Sequence, residues 1–97
     1  MPLTEPATAE GRLGLAALLA EPARSVVAVD FDGTLAPIVE RPEDARPAAG
    51  AVEALVALAG SVGRLAVVTG RGAEDVVRLG GLDRVDGLRV LGHYGLE

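Results

Sequence analysis

The sequence predicts an α/β fold in which a parallel sheet is covered on both faces by helices. Three apolar runs that do not alternate with polar residues indicate buried strands, at residues 25–31, 64–69 and 88–91. Segments with helical spacing of apolar residues lie between these runs. The order strand, helix, strand, helix, strand is typical of parallel pairing.

Length and composition limit what the domain can be. The 97 residues are enough for one small domain, and 49% are hydrophobic, supplied almost entirely by Ala, Val and Leu. There is one Phe, one Tyr and no Trp, so the core consists of small aliphatic side chains. All nine basic residues are Arg, and the net charge is −5, which argues against a nucleic-acid or anionic-membrane partner.

The chain has no cysteine, which excludes disulfides and thiolate metal sites. No apolar stretch reaches the ~18 residues that a transmembrane helix requires. The N-terminal segment carries Glu5 and Glu10 without a basic region, so it does not have the pattern of a signal peptide. A cytoplasmic location is therefore expected.

The N-terminal third contains one predicted helix and one predicted strand. Residues 1–10, with their Pro, Thr and Glu, are predicted to be disordered, and the domain is expected to span 11–97. Residues 12–20 form a short apolar helix that Pro22 stops. After the strand at 25–31, residues 32–46 form a long polar connection.

The remaining elements alternate between helix and strand. Pro47 is predicted to begin a helix that ends at Gly60. A second helix begins near residue 72 with Glu74 and Asp75 in its first turn, where carboxylates favour the helix dipole. It ends at Gly80-Gly81.

The most informative motif, Asp30-Phe31-Asp32-Gly33-Thr34, follows the first strand directly. Side chains alternate along a strand, so Asp30 and Asp32 point the same way while Phe31 enters the core. Two adjacent carboxylates repel each other, and Mg²⁺ between them removes that cost. Gly33 allows a sharp turn that brings N–H groups close to an anion. The motif predicts a phosphoryl-transfer site; the alternative is an ordinary Asp-Gly turn.

A second motif, Thr69-Gly70-Arg71, ends the next strand. The Thr69 hydroxyl could donate to a phosphoryl oxygen at the carboxyl edge of the sheet, and Gly70 permits close approach of the backbone. Arg71 could anchor a phosphate or a sugar hydroxyl, or pair with neighbouring carboxylates at positions 74 and 75. A dinucleotide-binding fingerprint is excluded because its third glycine would fall on Asp75.

Both motifs resemble motifs I and II of the haloacid dehalogenase (HAD) superfamily. Residues 25–97 are similar more specifically to trehalose-6-phosphate phosphatases, through Leu35-Ala36-Pro37-Ile38-Val39 and the closing Gly92-His93-Tyr94-Gly95-Leu96-Glu97. The resemblance implies a HAD-like Rossmannoid parallel sheet with flanking helices, and a small-molecule sugar phosphate as substrate. Sucrose-phosphatase-like enzymes are the near alternative.

The resemblance also implies roles for individual residues. Asp30 would attack phosphorus to form an aspartyl-phosphate, and Asp32 would act as general acid and base. Mg²⁺ would be held by the Asp30 carboxylate and the Asp32 backbone carbonyl. Thr69 and the amides around Gly33 would hold the phosphoryl oxygens. His93 and Glu97 could face the sugar or serve the structure.

The sequence departs from the family because it has no lysine for motif III and stops before an acidic motif IV and a cap. Asp83 and Asp86 fall in a loop where solvated turn residues are expected. The chain is therefore interpreted as the first half of a phosphatase core, inactive alone and a possible partner of a complementary C-terminal fragment. A non-catalytic HAD-derived binding module is the other function class.

Overall fold

A parallel sheet of three strands, joined by helices, forms the part of the chain described by this computed structural model, residues 5–96. The helices are α1 (Ala9–Ala20), α2 (Ala51–Ala59) and α3 (Ala73–Gly80); the strands are β1 (Val26–Asp30), β2 (Arg64–Val68) and β3 (Arg89–Leu91). The predicted α/β fold and its three strands are confirmed.

The strands lie in the order β1-β2-β3 and all run parallel. In the register, Asp30 lies beside Val68 and Val68 beside Leu91. The carboxyl ends of the three strands therefore meet at one edge of the sheet. Both sequence motifs begin at this edge.

The core lies on the face of the sheet that α2 and α3 cover. Phe31, Val67 and Val76 are fully buried there. On the opposite face Val26 is 71% exposed and Ala28 is also exposed. The expectation of a sheet covered on both faces is therefore wrong for the described residues. Crossovers are right-handed in nearly all parallel sheets, so two crossovers in the same direction place both helices on one face.

Helix α1 begins at Ala9, three residues before the predicted start. The Thr8 side chain explains the earlier start, because it caps the helix by accepting a hydrogen bond from the Gly11 N–H (2.9 Å). Ala9 lies inside the segment 1–10, which the composition predicts to be disordered. The structure describes residues 5–10 of this segment, and residues 1–4 are outside the described residues. No side chain of α1 is buried.

Helix α2 begins at Ala51, so the predicted start at Pro47 is wrong. The N–H of Ala48 donates to the carbonyl of Leu35 (2.8 Å), which fixes this segment to the first motif loop. Gly50 then takes a φ of +84°, a left-handed conformation that an α-helix cannot include. The predicted end at Gly60 is confirmed.

Helix α3 is close to the prediction, since it ends at Gly80 and Gly81 follows with a φ of +62°. Between β1 and α2, the predicted irregular connection contains only the short 3₁₀ turn Pro42–Asp44 and an isolated bridge from Asp32 to Ala36. No helix among residues 5–96 is both long and apolar enough to cross a membrane.

Candidate active site

The loop after β1 is a tight turn built around the carbonyl of Phe31. This oxygen accepts hydrogen bonds from the N–H groups of Leu35 (3.0 Å) and Ala36 (2.9 Å). Gly33 adopts a φ of +83°, as its predicted turn role requires, and its N–H donates to the Ala36 carbonyl (2.7 Å). That N–H is therefore engaged within the loop, and an anion could reach it only after this bond opens.

Asp30 and Asp32 line the same cavity, although β1 ends at Asp30 and Asp32 lies in the turn that follows. The cavity has a volume of about 410 Å³ and lies at the carboxyl edge of the sheet. Its other lining residues come from three segments: Pro42, Gly70, Arg71 and Tyr94. The Asp30 carboxylate is oriented by the Phe31 N–H, which donates to its Oδ1 (2.9 Å). The two motifs thus share one concave site.

Arg71 makes a bidentate ion pair with Asp32, an arrangement that neither predicted alternative for this arginine included. Nε donates to Oδ2 (2.8 Å) and Nη2 to Oδ1 (2.7 Å), while Nη1 donates to the Pro42 carbonyl (2.8 Å). The guanidinium carbon also lies 5.7 Å from the centre of the Phe31 ring. Asp75, one of the partners considered from the sequence, pairs instead with Arg78 (3.3 Å).

This ion pair determines the protonation of Asp32. The hydrogen bonds from Arg71 hold the pKa of the Asp32 carboxyl below its usual range, although partial burial acts in the opposite direction. The same hydrogen bonds raise the pKa of Arg71. At neutral pH, Asp32 is therefore a carboxylate held by a cation.

Thr69 is buried at the end of β2, where only 2% of its surface is exposed. Its Oγ1 accepts a hydrogen bond from the Arg71 N–H (3.1 Å) and so caps the turn that follows the strand. Thr69 and Gly70 also line a second cavity of about 350 Å³, together with Asp30 and Tyr94. In the contact with Arg71, the Thr69 hydroxyl is the acceptor. Its own proton is therefore not used here and could be donated to a phosphoryl oxygen, as predicted.

Tyr94 is a site residue to which the sequence analysis assigned no role. It lines both cavities, and 85% of its surface is exposed. Its ring lies so close to Gly70 that a Cβ there would be 2.5 Å from Cζ. The signal in the sequence that could have indicated this contact is Gly70 in the second motif, because a residue without a side chain allows an aromatic ring to approach the backbone. His93 follows β3 beside it, and Glu97 lies outside the described residues.

The oxygen atoms of this site suit a hard divalent cation such as Mg²⁺, which takes one or two carboxylates and completes its shell with water. Asp30 belongs to none of the ion pairs found within residues 5–96, whereas Asp32 is already neutralised by Arg71. No group of three or more His, Asp or Glu side chains gathers around a metal position in this range. Any metal bound here would have few protein ligands.

Comparison with known proteins identifies the family. The trehalose-phosphatase family matches residues 28–97, and the chain belongs to it. An uncharacterized glycosyl hydrolase of Mycobacterium tuberculosis is 49% identical over 74 residues, which cover 76% of this chain and 5% of that protein. The trehalose-phosphate phosphatase of Mycobacterium avium is 46% identical over 68 residues, 70% of this chain and 16% of that protein. The chain thus spans a small part of these relatives.

Two solved structures have the same fold. A trehalose-6-phosphate phosphatase related protein superposes with a TM-score of 0.62 and 31% identity, over 73% of this chain and 29% of that one. The C-terminal domain of the C. albicans trehalose-6-phosphate phosphatase gives a TM-score of 0.64 and 25% identity, over 90% of this chain and 29% of that one. The α/β fold and the family assignment therefore agree.

Proposed function

We propose that the chain carries part of the catalytic site of a phosphomonoester hydrolase whose substrate is a sugar phosphate, trehalose 6-phosphate. The observation that carries this proposal is the position of Asp30 and Asp32 on one cavity at the carboxyl edge of the sheet. Ligands bind at this edge in open α/β sheets. Membership of the trehalose-phosphatase family supports the substrate.

In the proposed reaction, an Asp30 carboxylate oxygen forms a bond to phosphorus while the bond from phosphorus to the sugar oxygen breaks. Asp32 gives a proton to the departing sugar oxygen. Water then attacks phosphorus, its proton passes to Asp32, and the bond to Asp30 breaks to release phosphate. The Thr69 hydroxyl and the Gly70 backbone would hold the phosphoryl oxygens.

The contact between Arg71 and Asp32 limits when the acid step can occur. A carboxylate held by two guanidinium hydrogen bonds is in the correct state to accept a proton from water, but not to donate one. For Asp32 to protonate the sugar oxygen, Arg71 must release it. A phosphoryl group that enters the cavity would offer the guanidinium another anionic partner.

The proposed cofactor is Mg²⁺. The Asp30 carboxylate and the backbone carbonyl of Asp32 would hold it, and water would occupy the remaining positions. When bound, the ion would neutralise charge on the phosphoryl oxygens. We expect weak binding because the described residues supply few carboxylates to the site.

The first test measures Mg²⁺ binding by titration calorimetry. We expect weak binding to the unaltered chain and no detectable binding to Asp30→Asn, because that substitution removes the negative charge. Asp86→Asn is the matched control, since Asp86 lies away from the sheet edge in the loop before β3 and should leave binding unchanged. Tight binding, or binding that does not depend on Asp30, would contradict the proposed site.

Turnover of trehalose 6-phosphate is the second test. The chain contains no lysine, and we propose that the complete enzyme uses a further cation, in addition to Arg71, to stabilise the transition state. The loss of one such electrostatic contact typically lowers kcat by ~10²–10³. We expect phosphate release only when the remaining part of the enzyme is supplied, in the same chain or as a complementary fragment. Rapid release by the 97 residues alone would refute this.

A further inference from the structure

We propose that Tyr94 is a stacking surface for the pyranose ring of a sugar phosphate bound at the Asp30–Asp32 cavity. The inference rests on the proposed function and adds a sugar-binding residue to it. Tyr94 lines this cavity and also the second one. A phosphoryl group beside Asp30 would therefore bring its attached sugar to the tyrosine.

The position of the ring is set by hydrogen bonds of the backbone rather than by burial of the side chain. The Tyr94 N–H donates to the Thr69 carbonyl (2.8 Å), and the His93 N–H donates to the Arg71 carbonyl (2.9 Å). These bonds hold the turn after β3 against the second motif. The ring contacts Gly70 at this point, yet 85% of the residue is exposed.

The backbone of this turn is strained. His93 has a φ of +47° and Tyr94 a φ of +56°, and such left-handed conformations are uncommon for residues other than glycine. Strained residues persist where the surrounding structure imposes them, and they are concentrated at functional sites. The fold thus pays a conformational cost to keep an exposed aromatic ring beside the two aspartates.

A pyranose ring fits the chemistry of this position. One face of a pyranose carries mostly C–H groups, which pack on the negative face of an aromatic ring and remove apolar surface from water. The cavity beside Tyr94 has about 410 Å³, within the ~300–1,000 Å³ typical of small-molecule sites. A phosphate without a sugar would use the aspartate side of the cavity and would not contact the tyrosine.

The experiment uses Tyr94 as its own probe, since the chain has one tyrosine and no tryptophan. In the presence of Mg²⁺, trehalose 6-phosphate and glycerol 3-phosphate are titrated separately by calorimetry and by tyrosine fluorescence. Both ligands carry a phosphomonoester, but only the first has pyranose rings. We expect about tenfold tighter binding of trehalose 6-phosphate, with a change in Tyr94 emission that glycerol 3-phosphate does not cause.

Two variants and one control separate the contribution of the Tyr94 ring to the affinity from the contribution of the phosphate. In Tyr94→Ala, the affinity ratio between the two ligands should fall to about one, while Tyr94→Phe should keep it because the aromatic face remains. Leu96→Ala is the control, since Leu96 is exposed on the same turn but lines neither cavity. An affinity ratio near one in the unaltered chain, or one that Tyr94→Ala leaves unchanged, overturns the inference.

The result for glycerol 3-phosphate distinguishes the two proposals. If this ligand binds but trehalose 6-phosphate binds no better, the stacking role of Tyr94 is refuted and the phosphatase site stands. If neither phosphomonoester binds, the proposed function itself fails for this chain, and the stacking surface fails with it.

Discussion

Arg71 connects the loop after β2 to three other parts of the chain. Its side chain donates to Asp32 and to the Pro42 carbonyl, its N–H donates to Thr69, and its carbonyl accepts from His93. The loops after all three strands are therefore tied to a single residue. Its substitution should affect the shape of the cavity as well as its charge.

The ion pair should make stability depend on pH at the acidic end. The pKa of Asp32 is lower in the folded state than in the unfolded state. The ion pair therefore stabilises the fold at pH values above the ordinary aspartate pKa of about 3.9. This stabilisation is lost as the pH falls through the folded-state pKa. We expect Asp32→Asn to lower stability by about 1 kcal/mol at most at neutral pH, since the carboxylate is partly exposed and solvent screens it.

Thermal unfolding of both proteins at a series of pH values, without divalent cations, measures this. The difference in Tm between the unaltered chain and Asp32→Asn should shrink as pH falls from about 6 to about 3, because the aspartate becomes neutral like the asparagine. A difference that stays constant over this range would show that the carboxylate charge contributes nothing.

Individual side chains of the site were predictable to different degrees. The shared position of Asp30 and Asp32 was predicted from strand alternation, but β1 ends at Asp30 and a turn brings Asp32 to the same cavity. The Arg71–Asp32 pair spans 39 positions and forms only when the register brings β1 beside β2. From the sequence, the acidic residues at positions 74 and 75 were the expected partners of Arg71. Proximity along the chain was therefore insufficient to predict the pair with Asp32.

Among the elements, the strands were predicted most accurately and the start of α2 least. A short apolar run of about four residues between turn residues is too short for a helix and favours a buried strand, whereas a proline before an Ala-rich segment is compatible with several helix starts. The start at Ala51 depends on the contact between Ala48 and Leu35, which lies outside the helix. Tertiary contacts of this kind leave no periodic pattern in the sequence.

The junction between the 3₁₀ turn Pro22–Arg24 and β2 allows no side chain at Gly63. A Cβ there would overlap the carbonyl oxygen of Ala23 and lie 3.1 Å from that of Ser25. Both obstacles are backbone atoms, which cannot rotate away. We expect Gly63→Ala to destabilise the fold by ~1–3 kcal/mol, as overpacking does elsewhere.

Urea unfolding of Gly63→Ala and of the matched control Gly60→Ala tests this. At Gly60 the nearest backbone atom outside the adjacent residues, the Ala57 oxygen, is 3.6 Å from the new Cβ, an ordinary contact. The control should therefore unfold at a urea concentration close to that of the unaltered chain. Equal midpoints for both variants would mean that the β2 junction is looser than the structure indicates.

On the scale of the whole molecule, the main feature is the uncovered face of the sheet. Val26 and Ala28 of β1 are exposed there, and Leu91 of β3 is 40% exposed. Within residues 5–96, β1 also has a free edge because it pairs only with β2. Exposed apolar strands with unpaired edges favour association with other chains.

We expect the chain to associate with itself as its concentration rises, and Val26→Thr to weaken this association. Threonine keeps the strand preference of a β-branched residue but makes the exposed face more polar. Because Val26 is exposed, stability should change by no more than about 0.5 kcal/mol. Sedimentation velocity at several concentrations, combined with urea unfolding, measures both effects.

Val67→Thr is the matched substitution on the buried face of the sheet. It places a hydroxyl in the apolar core, where Val67 has no exposed surface, and should cost ~1–3 kcal/mol. If the unaltered chain associates and Val26→Thr has the same sedimentation profile, the contacts between molecules form elsewhere.

The order of the strands also bears on how the chain folds during synthesis. Each strand pairs with the one that precedes it in the sequence, so β2 can add to β1 and β3 to β2 as soon as each leaves the ribosome. No strand has to wait for a later one before its neighbour is available. Among residues 5–96, the outer edge of β1 has no partner strand at any of these steps. Of the strand edges in this part of the chain, it is therefore the one exposed to wrong pairing for the longest time during translation, because β1 is synthesised first.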